Sequence, residues 1–532
     1  MTVTTAREPT VRFRDNPLLL AQARRRLRRR EALPTLLMAL MLGLLGMVFA
    51  SVSGGGMEDG RWQVVGVALM VGLLWVLFFR APSVVAGTLL EERRSGLLDF
   101  HRATPTTPWT QAVGYVVGCA SREWATAAIL AGFWAVTEGT RGAGPGGTVM
   151  ALVALTSGAL LCHALAAWMG LTVQGSRRVG VGTGASVVGV AVAGVVLLQV
   201  GVTAPAYLTP LPALHALTCL GQGTELVTGL PSLFGVEMHP LLFTLVVQGS
   251  VGAFVVTAVA RKLARDDASS FSRPGALGFF VVVTLLMLGG SWARLRYPAD
   301  GVDVEATVGW VGGAYLVGSL LLAGLLLNGL APSYLEAVRG QRRAQAQGRG
   351  TLLWTEDGAV VTPLVGALVT LVAGGWALVV VGAMPHVSPV TLLGPGLWVA
   401  LAACAAVLAF VAGAAEYARL TSRGAFRSTV VFIAFLALVV PALLATILAV
   451  TPATREVAVY VAALSPGYAF TALLRPLPGV VRPGEEMPDL ALGISLAVTV
   501  GGAAWFSWQV TRAREAIRAA GATRGGSWPR GR

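Results

Sequence analysis

The chain has 532 residues, of which 55% are hydrophobic and 12% charged, and its mean hydropathy is +0.71. A soluble domain carries about 25% charged residues, so this composition excludes a water-soluble globular protein and implies an all-α, polytopic integral membrane protein. The formal net charge of +14 is spread over loops that lack an aromatic stacking platform, which is positive-inside topology rather than a nucleic-acid surface.

The first 33 residues hold nine arginines against three acids. Within them Asn16 and Pro17 read as the cap and first position of a short helix, and the run Arg24 to Arg30 follows. That run suits two compatible roles, fixing topology and touching anionic lipid. No small-residue cleavage site follows the first apolar run, so that run is expected to remain as an anchor.

A helix needs roughly 20 apolar residues to cross about 30 Å of hydrocarbon, and on that measure the chain has about twelve spans. In the first half they fall near 34–52, 62–80, 110–136, 148–173, 180–202 and 240–260. In the second they fall near 275–291, 307–330, 361–384, 391–415, 428–450 and 490–510. An even number puts both termini on one side, and arginine marks it as cytoplasmic. The loops on that side carry Arg177 and Arg178, then Arg261, Lys262, Arg265 and Arg273, then Arg339, Arg342, Arg343 and Arg349, then Arg419, Arg423 and Arg427. The expected organisation is a basic segment with a short helix over 1–33, six-span halves over 34–262 and 263–510, and a basic tail over 511–532, in the cell membrane.

After the second span, Pro82 is expected to interrupt the helix, and Glu91, Glu92, Arg93 and Arg94 are too polar to remain in lipid. Leu97, Leu98 and Phe100 then give a short apolar face beside Asp99, His101 and Arg102. Thr107 and Pro108 make a helix start, hydroxyl as cap and proline at the first position. The segment between reads as a short amphipathic helix under the membrane. In the third span, Arg122 and Glu123 are an adjacent pair of opposite charge, facing the bundle interior or lying near the cytoplasmic end. Gly180, Gly184, Gly189 and Gly194 suit close helix packing. The proline-broken apolar stretches 203–239 and 451–489 suggest short re-entrant or interfacial helices.

The four cysteines offer no disulfide framework and the five histidines no ligand spacing, so no structural metal is expected. The sole lysine, Lys262, follows Val255 to Arg261 (VVTAVAR). A phosphate-binding loop needs its lysine after a glycine-rich turn, so ATP hydrolysis is not expected of this chain.

Landmarks recur about 250 residues apart, too far for a solenoid. Ala81, Pro82 and Ser83 return as Ala331, Pro332 and Ser333, each before a charged segment. Ser176, Arg177 and Arg178 return as Ser422 and Arg423, and Pro210 to Leu220 has a counterpart in Ala463 to Leu474. Two like halves in parallel orientation follow from this order.

The series Glu92, Gly96, Leu98, Asp99, Ala103, Thr104, Pro105 and Trp109 resembles the signature of ABC type-2 transporter permeases, E-x-x-x-G-T-L-E-x-x-x-A-T-P with a following aromatic. Leu97 replaces the usual threonine and Asp99 the usual glutamate. Asn16, Pro17 and the arginine run are similar to that family's elbow helix, and Ser465 to Phe470 (SPGYAF) to its serine-proline segment before the last span. The resemblance implies that Glu92, Gly96, Leu98, Asp99, Thr104 and Pro105 belong to a coupling helix docking into a cytoplasmic ABC ATPase subunit. It further implies a permease, in the export direction, with ATP and magnesium held by the partner and no cofactor here. Such permeases usually have six spans and dimerise, so here two halves would be fused. In the second half Gly350, Thr351, Leu352 and Leu353 are followed by Trp354, and Thr362 and Pro363 arrive four residues later than their first-half counterparts. Contact with the ATPases is therefore expected to be asymmetric.

Two other classes are the alternatives. A major-facilitator carrier would need a G-x-x-x-D-R-x-G-R-R type loop after the second span and intramembrane acids for ion coupling. A membrane enzyme such as a lipid-linked glycosyltransferase would need paired acids on an interfacial loop, for which Glu485, Glu486 and Asp489 are the nearest residues.

Overall fold

The computed structural model describes residues 15–52, 60–142, 144–172, 202–218, 230–266, 268–297, 304–348, 358–393, 395–421, 441, 444, 455–464 and 489–523. The described chain is almost wholly helical; its only strands are the two-residue pieces Ser232–Leu233 and Val236–Glu237. Among the described residues, nine helices are long and apolar enough to cross a membrane. They fit a polytopic membrane protein, each at the place of one predicted span. Of the other three, the fifth and eleventh lie largely outside the described residues and the third is broken.

The chain divides into two compact units, with the main boundary between Asp266 and Asp267. The first opens with α1 (Pro17–Arg26) and α2 (Arg29–Ser51). A continuous helical rod follows, made of α3 (Arg61–Leu74), a π-helical turn (Trp75–Arg80) and α4 (Ala81–Arg94). Then come α5 (Leu97–Ala103), α6 (Pro108–Gly118), α7 (Ser121–Thr140), α8 (Pro145–Thr172), the short α9 (Leu211–Leu217) and α10 (Pro240–Ala264). The stretch before α9 holds a 3-10 turn, Ala206–Leu208, so where it is described the proline-broken segment 203–239 forms two short helical pieces and then the paired strands Ser232–Leu233 and Val236–Glu237 rather than helices alone. Its counterpart over 451–489, including the serine-proline segment, is described only at 455–464 and Asp489.

Two expectations fail in this unit. Pro82 does not interrupt the helix: the rod runs 34 residues from Arg61 to Arg94, about 51 Å at 1.5 Å per residue. Proline lacks an N–H and its ring crowds the preceding turn, and here the π turn takes up the misfit. The Ala81 N–H bonds back to the Val76 carbonyl, five residues away. Leu77, whose carbonyl would next require the N–H that Pro82 lacks, is met instead by His163 Nε2 of α8 at 3.2 Å. Since a carbonyl only accepts, that nitrogen carries the proton. The third span, secondly, is two helices, with Cys119 and Ala120 between them.

The second unit contains α11 (Arg273–Arg296), α12 (Val304–Leu330), α13 (Tyr334–Ala346), α14 (Leu364–Ala383), the one-turn α15 (Pro389–Leu392), α16 (Pro395–Thr421), α17 (Arg455–Ala463) and α18 (Asp489–Thr523). Its core is one large apolar cluster including Phe280, Leu288, Tyr315, Leu320, Leu368, Trp376, Val379 and Leu408. Helix pairing within each unit runs in parallel: α8 packs on α10 as α16 packs on α18, and α2 on α7 as α11 on α14.

Candidate functional site

The sequence places its signature between α4 and α6, and each junction there has a local cause. Helix α4 ends because Gly96 adopts φ 76° and ψ 4°, the left-handed conformation that glycine reaches without a Cβ penalty. The Asp99 N–H then bonds to the Gly96 carbonyl at 3.1 Å and α5 begins. It stops at Thr104, extended at φ −79° and ψ 153°, as a residue before proline prefers. The Thr104 hydroxyl donates to the His101 carbonyl at 2.6 Å, and Gln111 Nε2 donates to the same oxygen at 2.8 Å. Thr107 caps α6 by accepting the Thr110 N–H at 3.2 Å, with Pro108 at the first position. The sequence anticipates this helix–turn–helix arrangement.

The six signature residues divide by exposure. Leu98 is 2% exposed and packs with Leu18, Val85, Leu89, Val259 and Leu263. Glu92, 3% exposed, is also internal. Gly96, Asp99 and Pro105 are exposed and Thr104 half-buried. The outward face of α5 carries Leu97, Asp99 and Phe100, the last 65% exposed, with exposed Trp109 just beyond.

Beneath that face, α5 and the end of α4 before it are tied to four other helices of the unit. The Glu92 carboxylate accepts Gln22 Nε2 of α1 at 2.7 Å on Oε1 and the Tyr115 hydroxyl of α6 at 2.5 Å on Oε2. Helix α1 is held further by Arg26 Nη2 donating to Thr88 Oγ1 at 2.5 Å and by Asn16 Nδ2 donating to the Thr110 carbonyl at 2.7 Å. Asn16 also caps α1, accepting the Leu18 and Leu19 N–H groups. The two helices cross so closely that a Cβ on Gly118 would lie 3.2 Å from the Leu19 backbone. Arg93 spans two elements, donating to the Leu171 carbonyl at the end of α8 and to Asp266 Oδ2, each at 2.9 Å. Arg102 closes the circuit: Nε donates to the Leu263 carbonyl at 2.9 Å, Nη2 to the Lys262 carbonyl at 3.2 Å and Nη1 to Asp99 Oδ1 at 2.5 Å. A cation on the last carbonyls of a helix satisfies both hydrogen bonding and the helix dipole. Arg102 thus joins α5 to the end of α10 and Gln111 joins it to α6, while Glu92 and Arg93, on α4, join the preceding helix end to α1, α6 and α8.

Gln22, Arg93, Arg102, Tyr115 and Asp266 escape sequence reasoning. Gln22 and Glu92 are 70 residues apart and Arg102 and Leu263 161 apart, and the two arginines resemble ordinary topology charges. For the Arg122 and Glu123 pair the sequence leaves open an interior position or one near the cytoplasmic end of the helix. Glu123 is 1% exposed and takes Arg122 Nη2 at 2.9 Å and Arg80 Nε at 3.4 Å, so the carboxylate faces the interior and is compensated there.

In the second unit Gly350, Thr351 and Leu352 lie outside the described residues. The turn just after them is fastened at every residue. Arg514 Nη1 donates to the Gly358 carbonyl at 3.0 Å, and Arg273 donates to the Ala359 and Val360 carbonyls at 2.5 and 3.1 Å. The Val361 N–H donates to Glu416 Oε2 at 3.1 Å, while Glu416 Oε1 takes Arg514 Nη2 at 2.5 Å. Among the described residues no three His, Cys, Asp or Glu side chains lie together as a metal site would require. Comparison with family models, with curated proteins and with solved structures returned no match.

Proposed function

We propose that this chain is the transmembrane permease of an ATP-driven transporter of the ABC type-2 kind, working with a separate cytoplasmic ATPase subunit that engages α5. One observation carries the reading. A seven-residue helix presents Leu97, Asp99 and Phe100 outward, is bonded by Arg102 to the end of α10 and by Gln111 to α6, and follows directly on the end of α4, where Glu92 and Arg93 bond α1, α6 and α8. Such an element is poorly suited to catalysis and well suited to passing on a push. An apolar pair with a flanking carboxylate is also what a small helix needs in order to sit in a partner's groove. On this reading nucleotide binding shifts the partner between two states, and differential contact with α5 shifts the permease between inward- and outward-facing forms. Export and the role of Gly350, Thr351 and Leu352 rest on the sequence resemblance, the two-half layout on the recurring landmarks, and the cytoplasmic placement of both termini on the arginine distribution.

The roles within the signature differ from one another. Phe100, Leu97 and Asp99 would make the contact; Gly96 and Thr104 with Pro105 set the ends of the helix; Glu92 and Leu98 transmit from inside. Purification in mild detergent from the native host, followed by an ATPase assay, tests the proposal. A P-loop ATPase should accompany the wild-type chain and be lost from the Leu97→Asp/Phe100→Asp variant, whose thermal stability should be unchanged. Nucleotide-insensitive transport by the chain alone would overturn it.

A further inference from the structure

Most arginines that border the first unit's spans are spent inside the protein. Arg26, Arg93, Arg102 and Arg122 each bond a named partner. Those at the corner between α1 and α2 are disposed differently. Arg24, Arg25, Arg28 and Arg30 are all exposed, and the nearest acids in sequence, Asp15 and Glu31, number only two. The placement follows from how α1 is held. Leu18 and Gln22 are buried against the unit, and Asn16 and Arg26 fix the two ends. Leu20, Arg24 and Leu27, at i, i+4 and i+7, are thereby turned outward together, and the two leucines are 37% and 43% exposed.

The helical run then breaks at Leu27 and Arg28, and α2 starts with Leu33, Leu37 and Met38 exposed at 52%, 49% and 55%. Helix α2 is apolar and long enough to cross a membrane, and only 17% of its apolar window is buried in the protein. Four exposed guanidinium groups therefore stand where an apolar surface meets the end of a membrane span. Arginine binds phosphate through paired N–H donors, and a basic face interleaved with leucines takes up both a headgroup and the upper acyl chain.

We propose that the α1–α2 corner is a binding site for an anionic phospholipid, with Arg24, Arg25, Arg28 and Arg30 holding the phosphate and Leu20, Leu27 and Leu33 lying along the acyl chain. An acidic protein segment would answer the charge and leave the leucines unmatched; a phospholipid answers both. The site fixes α1 from its outer side as Glu92 does from its inner side. It does not depend on what energises transport.

The test places the purified full chain in vesicles of equal parts phosphatidylcholine and phosphatidylglycerol. Electron spin resonance of spin-labelled versions of each lipid then reads the motionally restricted fraction. The wild-type chain should restrict phosphatidylglycerol preferentially. At low salt the preference should fall by up to about five-fold for each arginine neutralised in the series ending at R24Q/R25Q/R28Q/R30Q. It should survive in R24K/R25K/R28K/R30K and be unaffected by R339Q/R342Q/R343Q/R518Q, which removes equal charge elsewhere. An unchanged preference in the glutamine variant overturns the proposal, as does equal loss in the second-unit control.

Discussion

Ala81–Pro82–Ser83 and Ala331–Pro332–Ser333 are the same three residues in the two units, and they build opposite structures. In the first unit the helix passes through the proline as a continuous rod. In the second it ends at Leu330, and a new helix starts at Tyr334. The difference lies in what meets the backbone groups that proline disturbs. His163 covers the Leu77 carbonyl in the first unit. The second solves the problem locally, with Ser333 accepting the Glu336 N–H at 3.3 Å and Glu336 accepting the Ser333 N–H at 2.7 Å, a capping box. The first rod is therefore continuous from Arg61 to Arg94, whereas the second run is jointed between Leu330 and Tyr334. A proline thus specifies a problem, and tertiary context selects the solution.

The comparison can be broken most forcefully through the two buried carboxylates. Glu416→Ala should destabilise the chain by about 3–5 kcal/mol, because Arg514 is left as an uncompensated, largely buried charge. Glu92→Ala should cost about 2–3 kcal/mol, since the donors left behind, Gln22 and Tyr115, are neutral. Thermal unfolding in detergent followed by tryptophan fluorescence reads both. Trypsin should separate them, with cleavage after Arg24 and Arg25 accelerated only by Glu92→Ala. Equal cleavage in the two variants would mean that Glu92 does not hold α1.

His163→Leu comes next, at about 1–3 kcal/mol for the stranded carbonyl. In a Pro82→Ala background that cost should shrink by at least 0.5 kcal/mol, because the restored N–H can serve the same turn. Strict additivity in the double-mutant cycle would refute the explanation of the π turn. The smallest effects contrast the serines. Ser333→Ala should lose about 1 kcal/mol with its cap. Ser83→Ala should lose less than that, its hydroxyl bonding back to the Phe79 carbonyl of its own helix at 2.7 Å rather than capping a helix end. Equal losses would show that the two serines do the same work.

Local chemistry made much of this legible in the sequence. Among the described residues apolar length locates nine helices, Asn16 with Pro17 and Thr107 with Pro108 locate two helix starts, and the Gly96 to Pro105 interval locates α5. Each is a short-range signal, readable within a few residues. The break at Cys119 and Ala120 has a signal that apolar length passes over, the polar residues Ser121, Arg122 and Glu123 that open α7, and Gly118 just before it is needed for the crossing of α1. Glu92 shows how far a motif can lead: its position is marked by the signature, while its burial is set by Gln22 and Tyr115, which no spacing rule connects. Arg93 and Arg102 were hidden for the opposite reason, since arginine at a membrane boundary needs no further explanation. Long-range side-chain pairing is where reading a single chain stops.

The direct test of the central claim is cross-linking from the exposed face of α5. A Phe100→Cys chain carrying a short thiol-reactive photo-cross-linker, in native membranes, should capture a P-loop ATPase, with a yield that changes on adding ATP. The same probe at Tyr334→Cys reports whether the second unit is engaged as well. Capture of an ATPase from position 100 is the predicted result. Labelling of position 100 from outside the cell, or an absence of any ATPase among its cross-linked partners, would contradict the account.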